Sequence, residues 1–130
     1  MPTRALRWPR LWQAVGALGI ATLVIVCVIP EPPDPLPLAS ADKLYHVLGY
    51  ALLAGWYVQL YERGAGLIQA LLALLALGLV LEAVQALLPW RSAEAGDALA
   101  NAAGVGLGGL LAATPAARWL QHFERVLARR

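Results

Sequence analysis

The chain has 130 residues, of which 60% are hydrophobic and 14% charged, and ten basic against eight acidic side chains leave a net charge of +2. A soluble domain this short cannot hide so much apolar surface, and the charged share lies well below the ~25% of ordinary globular proteins. A conventional soluble fold is excluded, the basic excess is too small to suit nucleic acid, and the length fits one domain, residues 1–130.

Arg4, Arg7 and Arg10 precede the first apolar run, Leu11–Ile29, which carries no charge over 19 residues. As a helix it extends roughly 28 Å, about one hydrocarbon core. The basic start and a later Ala39-Ser40-Ala41 resemble a cleavable signal peptide. The run exceeds the roughly 7–15 residues of a signal core and the cut lies far beyond it, so a retained first transmembrane helix is expected. Cys27 is the single cysteine, which rules out an internal disulfide; Val26 fails a lipoprotein cleavage pattern, and an apolar wall residue is the simpler reading.

Residues 31–42, EPPDPLPLASAD, hold four prolines and cannot be helical throughout. A second span is expected over 44–61 and a third over 67–88. The fourth, 97–114, is rich in Ala and Gly, as helix–helix contacts in lipid often are. The connectors YERGAG (61–66) and LPWRSAEAG (88–96) are short, which predicts antiparallel neighbours. The fold expected is therefore all-α, a four-transmembrane-helix antiparallel bundle. Residues 116–130 complete it as a short amphipathic helix on the inner leaflet, with Trp119, Leu120, Phe123, Val126 and Leu127 on one stripe and His122 on the polar face.

With four crossings, Arg4, Arg7, Arg10, Arg63, Arg118, Arg125, Arg129 and Arg130 share one side, leaving Lys43 and Arg91 on the other. Positive charge stays inside, so both termini are expected in the cytoplasm of a bacterium, in a multi-pass inner-membrane protein.

In that topology the polar residues converge. Asp42, His46 and Tyr50 recur every four residues on the second helix, at its outer end. Glu82 and Gln85 lie near the outer end of the third, Arg91 follows in the loop, and Asp97 and Asn101 open the fourth, above Gly104-x-x-x-Gly108. An isolated charge in the bilayer is costly, so Glu82 should face the bundle. Asp42, Glu82 and Asp97 carry three negative charges; Lys43, Arg91 and a protonated His46 supply three positive, so a nearly self-neutral network is expected.

The blocks DKLYHVLGY (42–50), EAVQALLPWR (82–91) and RSAEAGDALANAAGVGLG (91–108) resemble, in that order, the VanZ-like family of small bacterial membrane proteins. By this resemblance Asp42, Lys43, His46, Tyr50, Glu82, Gln85, Arg91, Asp97 and Asn101 correspond to the family's polar signature. The resemblance implies a cell-envelope membrane protein, linked in the founding case to low-level teicoplanin resistance.

Ser40 and Ser92, the two serines, lack a visible oxyanion arrangement. One imidazole is few for a zinc site, so no metal or other cofactor is expected. The leading expectation is an outward-facing polar pocket that binds the anionic headgroup of an envelope lipid or lipid-linked cell-wall precursor through Lys43 and Arg91. Two alternatives stay open: a structural or assembly protein whose polar cluster only locks the helices, and a membrane enzyme using His46 and Glu82 in acid–base chemistry on a lipid-linked substrate. Catalytic residues and oligomeric state are left unassigned.

Overall fold

The computed structural model describes residues 3–30, 41–91 and 94–129. The proline-rich connector, the Ala39-Ser40 part of the cleavage pattern and Ser92 fall outside them. The described chain forms helices α1 (Pro9–Val28), α2 (Ala41–Leu60), α3 (Ala65–Gln85), α4 (Ala95–Leu110) and α5 (Trp119–Leu127). Two 3-10 turns, Leu111–Ala113 and Pro115–Arg118, join α4 to α5. The four long helices and the tail helix thus fall where the sequence predicts them.

Helices α1 and α3 are each long and apolar enough to cross a membrane, and α4 with its bent continuation makes a third if the pair counts as one span. Helix α2 equals α1 in length at 20 residues but starts with Asp42, Lys43 and His46. Large apolar side chains point outward on all four: Leu18 and Ile25, then Leu48 and Leu52, then Leu72 and Leu79, then Leu99 and Leu107. Leu52 is 75% exposed and Leu99 73%, an arrangement stable in lipid and costly in water.

Side-chain contacts fix the helix directions. Lys43 approaches Asp97 and His46 meets Asn101, while Gly104 packs on Val47 and Tyr50, and Gly108 on Ala51 and Ala54. Helices α2 and α4 therefore lie side by side and run the same way. Helix α3 runs against them, with Glu82 near His46 and Gly78 beside Tyr50 and Asn101. Gly16, Gly19 and Gly49 let α1 and α2 approach in opposite directions, against Trp56, Leu53 and Leu23. Tyr50, Leu53, Ala54, Leu74 and Val105 form the central core.

The α2–α4 contact depends on two missing side chains. A Cβ on Gly104 would strike the carbonyl oxygen of Val47, and one on Gly108 that of Ala51. Backbone on backbone is the closest approach two helices can make, and neither neighbour is a flexible side chain that can give way.

At the other end, Pro115 stops the helical run. The residue before a proline is pushed out of the helical region, and Thr114 sits extended at φ −110°, ψ 163°. The axis turns by 80° there. Gln59 bridges the turn: its amide donates to Ala116 O at 2.9 Å and its carbonyl accepts from Leu120 N at 3.2 Å. The tail helix corrects one expectation. Leu120 does not share a lipid-facing stripe with Trp119 and Phe123 but is buried against the bundle, together with Glu124.

Glu124 caps α1. Its carboxylate accepts from Arg7 N at 2.6 Å, Trp8 N at 3.0 Å and the Trp12 indole at 2.7 Å. Burial opposes ionisation of Glu124, but these donors, with the Arg7 charge, outweigh it and hold the carboxyl below its ordinary 4.5. The backbone entering α1 is thereby held by a residue more than a hundred positions away.

Two outcomes are expected. Gly104→Ala and Gly108→Ala should each destabilise the protein in detergent by about 1–3 kcal/mol or more, whereas Gly106→Ala, where a Cβ meets nothing within 4 Å, should be neutral or stabilising; melting of the three variants measures this. A carboxyl whose folded pKa is depressed contributes stability that is complete above the unfolded value near 4.5 and is lost as pH falls through the lower folded value. Melting temperature should therefore fall on acidification below about 4.5 in the native protein, and Glu124→Gln should flatten that part of the curve.

Candidate functional site

Seven of the nine residues singled out in the sequence occupy the ends of α2, α3 and α4 that meet. Lys43 and Asp42 start α2, and one turn on His46 is buried. His46 Nδ1 lies 2.8 Å from Asn101 Oδ1 and 4.0 Å from Glu82 Oε1, while Nε2 lies 3.9 Å from Asp42 Oδ2. Asp97, in the first turn of α4, is 2% exposed; a helix N-terminus favours a carboxylate there. Tyr50 lies one turn deeper than His46, against Gly78 of α3.

Gln85 and Arg91 part from this group. Gln85 is buried, but its amide donates to Cys27 O at 2.9 Å and so ties α3 to the end of α1. Trp90 does the same from the following loop, donating to Val28 O at 3.1 Å. Arg91 is half-buried and makes no ion pair among the described residues.

The expected network forms in part: Lys43 pairs with Asp97, and His46 lies within ion-pair reach of Asp42 and Glu82, while Arg91 joins none of them among the described residues. Lys43 Nζ is drawn to Glu94 Oε2 at 2.7 Å and stands off from Asp97 Oδ1 at 3.7 Å. The ammonium holds the Glu94 carboxyl below the usual carboxylate range through this hydrogen bond. Gly96 makes the route possible, since a Cβ there would meet Lys43 Cε at 2.8 Å. Glu94 is the residue that the sequence reading overlooked. Its signal was its place three residues before Asp97, one helical turn, which lets a single lysine choose between two acids.

Several buried polar atoms near this pair have no hydrogen-bond partner among the described residues. Tyr50 Oη, both oxygens of Glu82 and Asp97 Oδ1 are buried and make no hydrogen bond of good geometry. Buried polar groups are paired in the great majority of cases, and each unpaired one costs roughly 1–3 kcal/mol. Four such atoms gather where α2, α3 and α4 meet.

At the opposite end a cleft of about 330 Å³ lies between the N-terminal segment and α5, lined by Arg7, Arg118, Gln121, Glu124 and Arg125. Its one acid, Glu124, is already saturated by the donors that cap α1, so its face toward the surroundings is basic.

Comparison with protein-family models, with curated proteins and with solved structures finds no match to this chain.

Tyr50→Phe separates an idle hydroxyl from one that a ligand uses. Removing an unpaired buried hydroxyl should leave the melting temperature of delipidated protein unchanged or raise stability by up to about 1 kcal/mol. A clear loss of stability in that variant would show that the hydroxyl has a partner within the protein.

Proposed function

We propose that the chain crosses a bacterial inner membrane four times and holds, under the outer surface, a polar pocket that binds the anionic headgroup of an envelope lipid or lipid-linked cell-wall precursor. The VanZ-like resemblance of residues 42–50, 82–91 and 91–108 implies a cell-envelope membrane protein, a setting that suits this role. One observation carries the reading: buried oxygens without a hydrogen bond among the described residues, contributed by three helices at one end of the bundle. A fold that only needed polar glue would pair those atoms with one another.

Two features support the four crossings. The outward leucines of α2 and α4 ask for the same solvent as those of α1 and α3. The basic cleft of Arg7, Arg118 and Arg125 lies at the end opposite Asp42 and Asp97, which suits an inner leaflet rich in anionic lipid. Arg91 and Lys43 would meet the ligand's charge from the rim, with His46 and Glu82 at the buried centre.

The rival, a cluster that merely locks helices, draws on the 2.8 Å contact between His46 and Asn101, which ties α2 to α4. The two readings diverge at Arg91. Arg91→Ala should keep stability within about 0.5 kcal/mol of the native protein, as for a surface substitution, yet lose any lipid-linked species seen by native mass spectrometry from mild detergent. His46→Ala should lose both. Equal losses of stability and lipid in the two variants would favour the lock. The topology is tested in a Cys27→Ala background, with single cysteines at Arg63 and Glu94. An impermeant thiol reagent applied to intact cells should modify the second and spare the first.

A further inference from the structure

The proposed headgroup pocket has a sign problem. Asp42, Glu82 and Asp97 bring three negative charges to its floor, and the nearest ammonium, Lys43, is committed to Glu94. An anion does not approach unscreened carboxylates; a cation does. The positions of the side chains fit one. Ligand atoms of Asp42, His46 and Asp97 all lie within 4.8 Å of one another. Cis ligands on a small divalent ion stand roughly 3 Å apart, from metal–oxygen distances of 2.0–2.1 Å. Asp42, exposed on the first turn of α2, is the ligand free to close that gap.

The second observation concerns the imidazole. His46 Nδ1 lies 2.8 Å from the side-chain oxygen Oδ1 of Asn101, a contact that suits donation from Nδ1. The other ring nitrogen, Nε2, faces Asp42 Oδ2 at 3.9 Å, and in that tautomer its lone pair would be free to bind an ion. A metal-binding histidine is commonly held this way, its remote N–H fixed by an oxygen that sets tautomer and ring orientation. The third is Asp97 itself, 98% buried by its 2% exposure, with Oδ1 lacking any hydrogen bond. Burying a carboxylate in this state makes sense if a cation completes it.

We infer that Asp42, His46 and Asp97 form a binding site for a divalent transition-metal ion, with Nε2 of His46 and one oxygen of each aspartate as ligands and Asn101 fixing the imidazole. This departs from the expectation of no metal drawn from the sequence, where a single histidine looked too few. One nitrogen and two carboxylates suit manganese- or iron-like ions better than a structural zinc site. The remaining coordination positions face the exposed side of Asp42, open to water or to a phosphate oxygen. The role of such an ion rests on the headgroup reading: it would turn an acidic floor into a surface that accepts an anionic headgroup. Binding of the ion itself does not depend on that reading.

The test uses full-length protein in detergent, stripped with a chelator and titrated with Mn²⁺, free ion being followed by its electron paramagnetic resonance signal. Mn²⁺ avoids the soft thiol of Cys27. One equivalent should bind saturably. Asp42→Asn, at an exposed position that makes a 3.9 Å ion pair with His46, should fold normally and weaken binding at least tenfold; His46→Gln and Asp97→Asn should abolish it. Asn101→Ala should weaken it by 10–100-fold, the usual cost of losing an outer-shell partner. Lys43→Gln should tighten it, because it removes the cation that competes for Asp97. Absence of saturable binding in the native protein, or equal affinity in Asp42→Asn and the native protein, overturns the site. If Mn²⁺ fails to bind while a lipid still copurifies in an Arg91-dependent manner, the metal falls and the headgroup reading stands. If Mn²⁺ binds and no lipid is retained, the reverse holds.

Discussion

The contact between α2 and α4 is the constraint on which the rest depends. Gly104 and Gly108 bring the backbones of the two helices together at Val47 and Ala51, and that approach sets the register of every polar residue above it. With Gly104 seated between Val47 and Tyr50, Asn101 is one turn nearer the helix start and must meet His46, and Asp97 a turn further must meet Lys43. A register slip of one turn would carry each acid past its neighbour. In lipid, where apolar side chains gain nothing by leaving the solvent, small residues and backbone proximity do the work that hydrophobic burial does in water.

Much of this was legible in the chain. Charge-free runs, a four-residue recurrence of Asp42, His46 and Tyr50, and the Gly104–Gly108 spacing locate the helices and the end at which their polar groups gather. Pairing was not legible. The sequence offers Lys43 three acids within reach and no reason to prefer Glu94; the choice is made by the open space over Gly96, which exists only once α2 lies on α4. Gln85 and Glu82 share a face three residues apart, yet one turns to α1 and the other toward His46. A helical period separates faces by about 100° per residue, too coarse to tell which neighbour a boundary residue will touch. Glu124 was hidden for a different reason: its partners are backbone N–H groups at the far end of the chain, and no side-chain pattern announces those.

The two ends of the bundle handle buried carboxylates in opposite ways. Glu124 is given three donors, two of them from the backbone just before α1 and one from the Trp12 indole. Both oxygens of Glu82 and Oδ1 of Asp97 are buried without a hydrogen bond among the described residues, though α2 and α4 carry a lysine and an asparagine close by. A stability argument alone does not explain why one end is complete and the other is not, because the cost of an unpaired buried group is the same at both. Local rules tend to be broken where a site has a task. The imbalance has a definite sign at the carboxylates: what Glu82 and Asp97 lack is positive charge and donors, while the Tyr50 hydroxyl alone lacks an acceptor. Whatever occupies it must bring those. A bare anionic headgroup brings neither, a protonated amine brings both weakly, and a divalent ion with its bound water brings both together, with coordination left over for phosphate. That chemical asymmetry, more than any likeness of sequence, is the ground for proposing a cation among the unpaired oxygens.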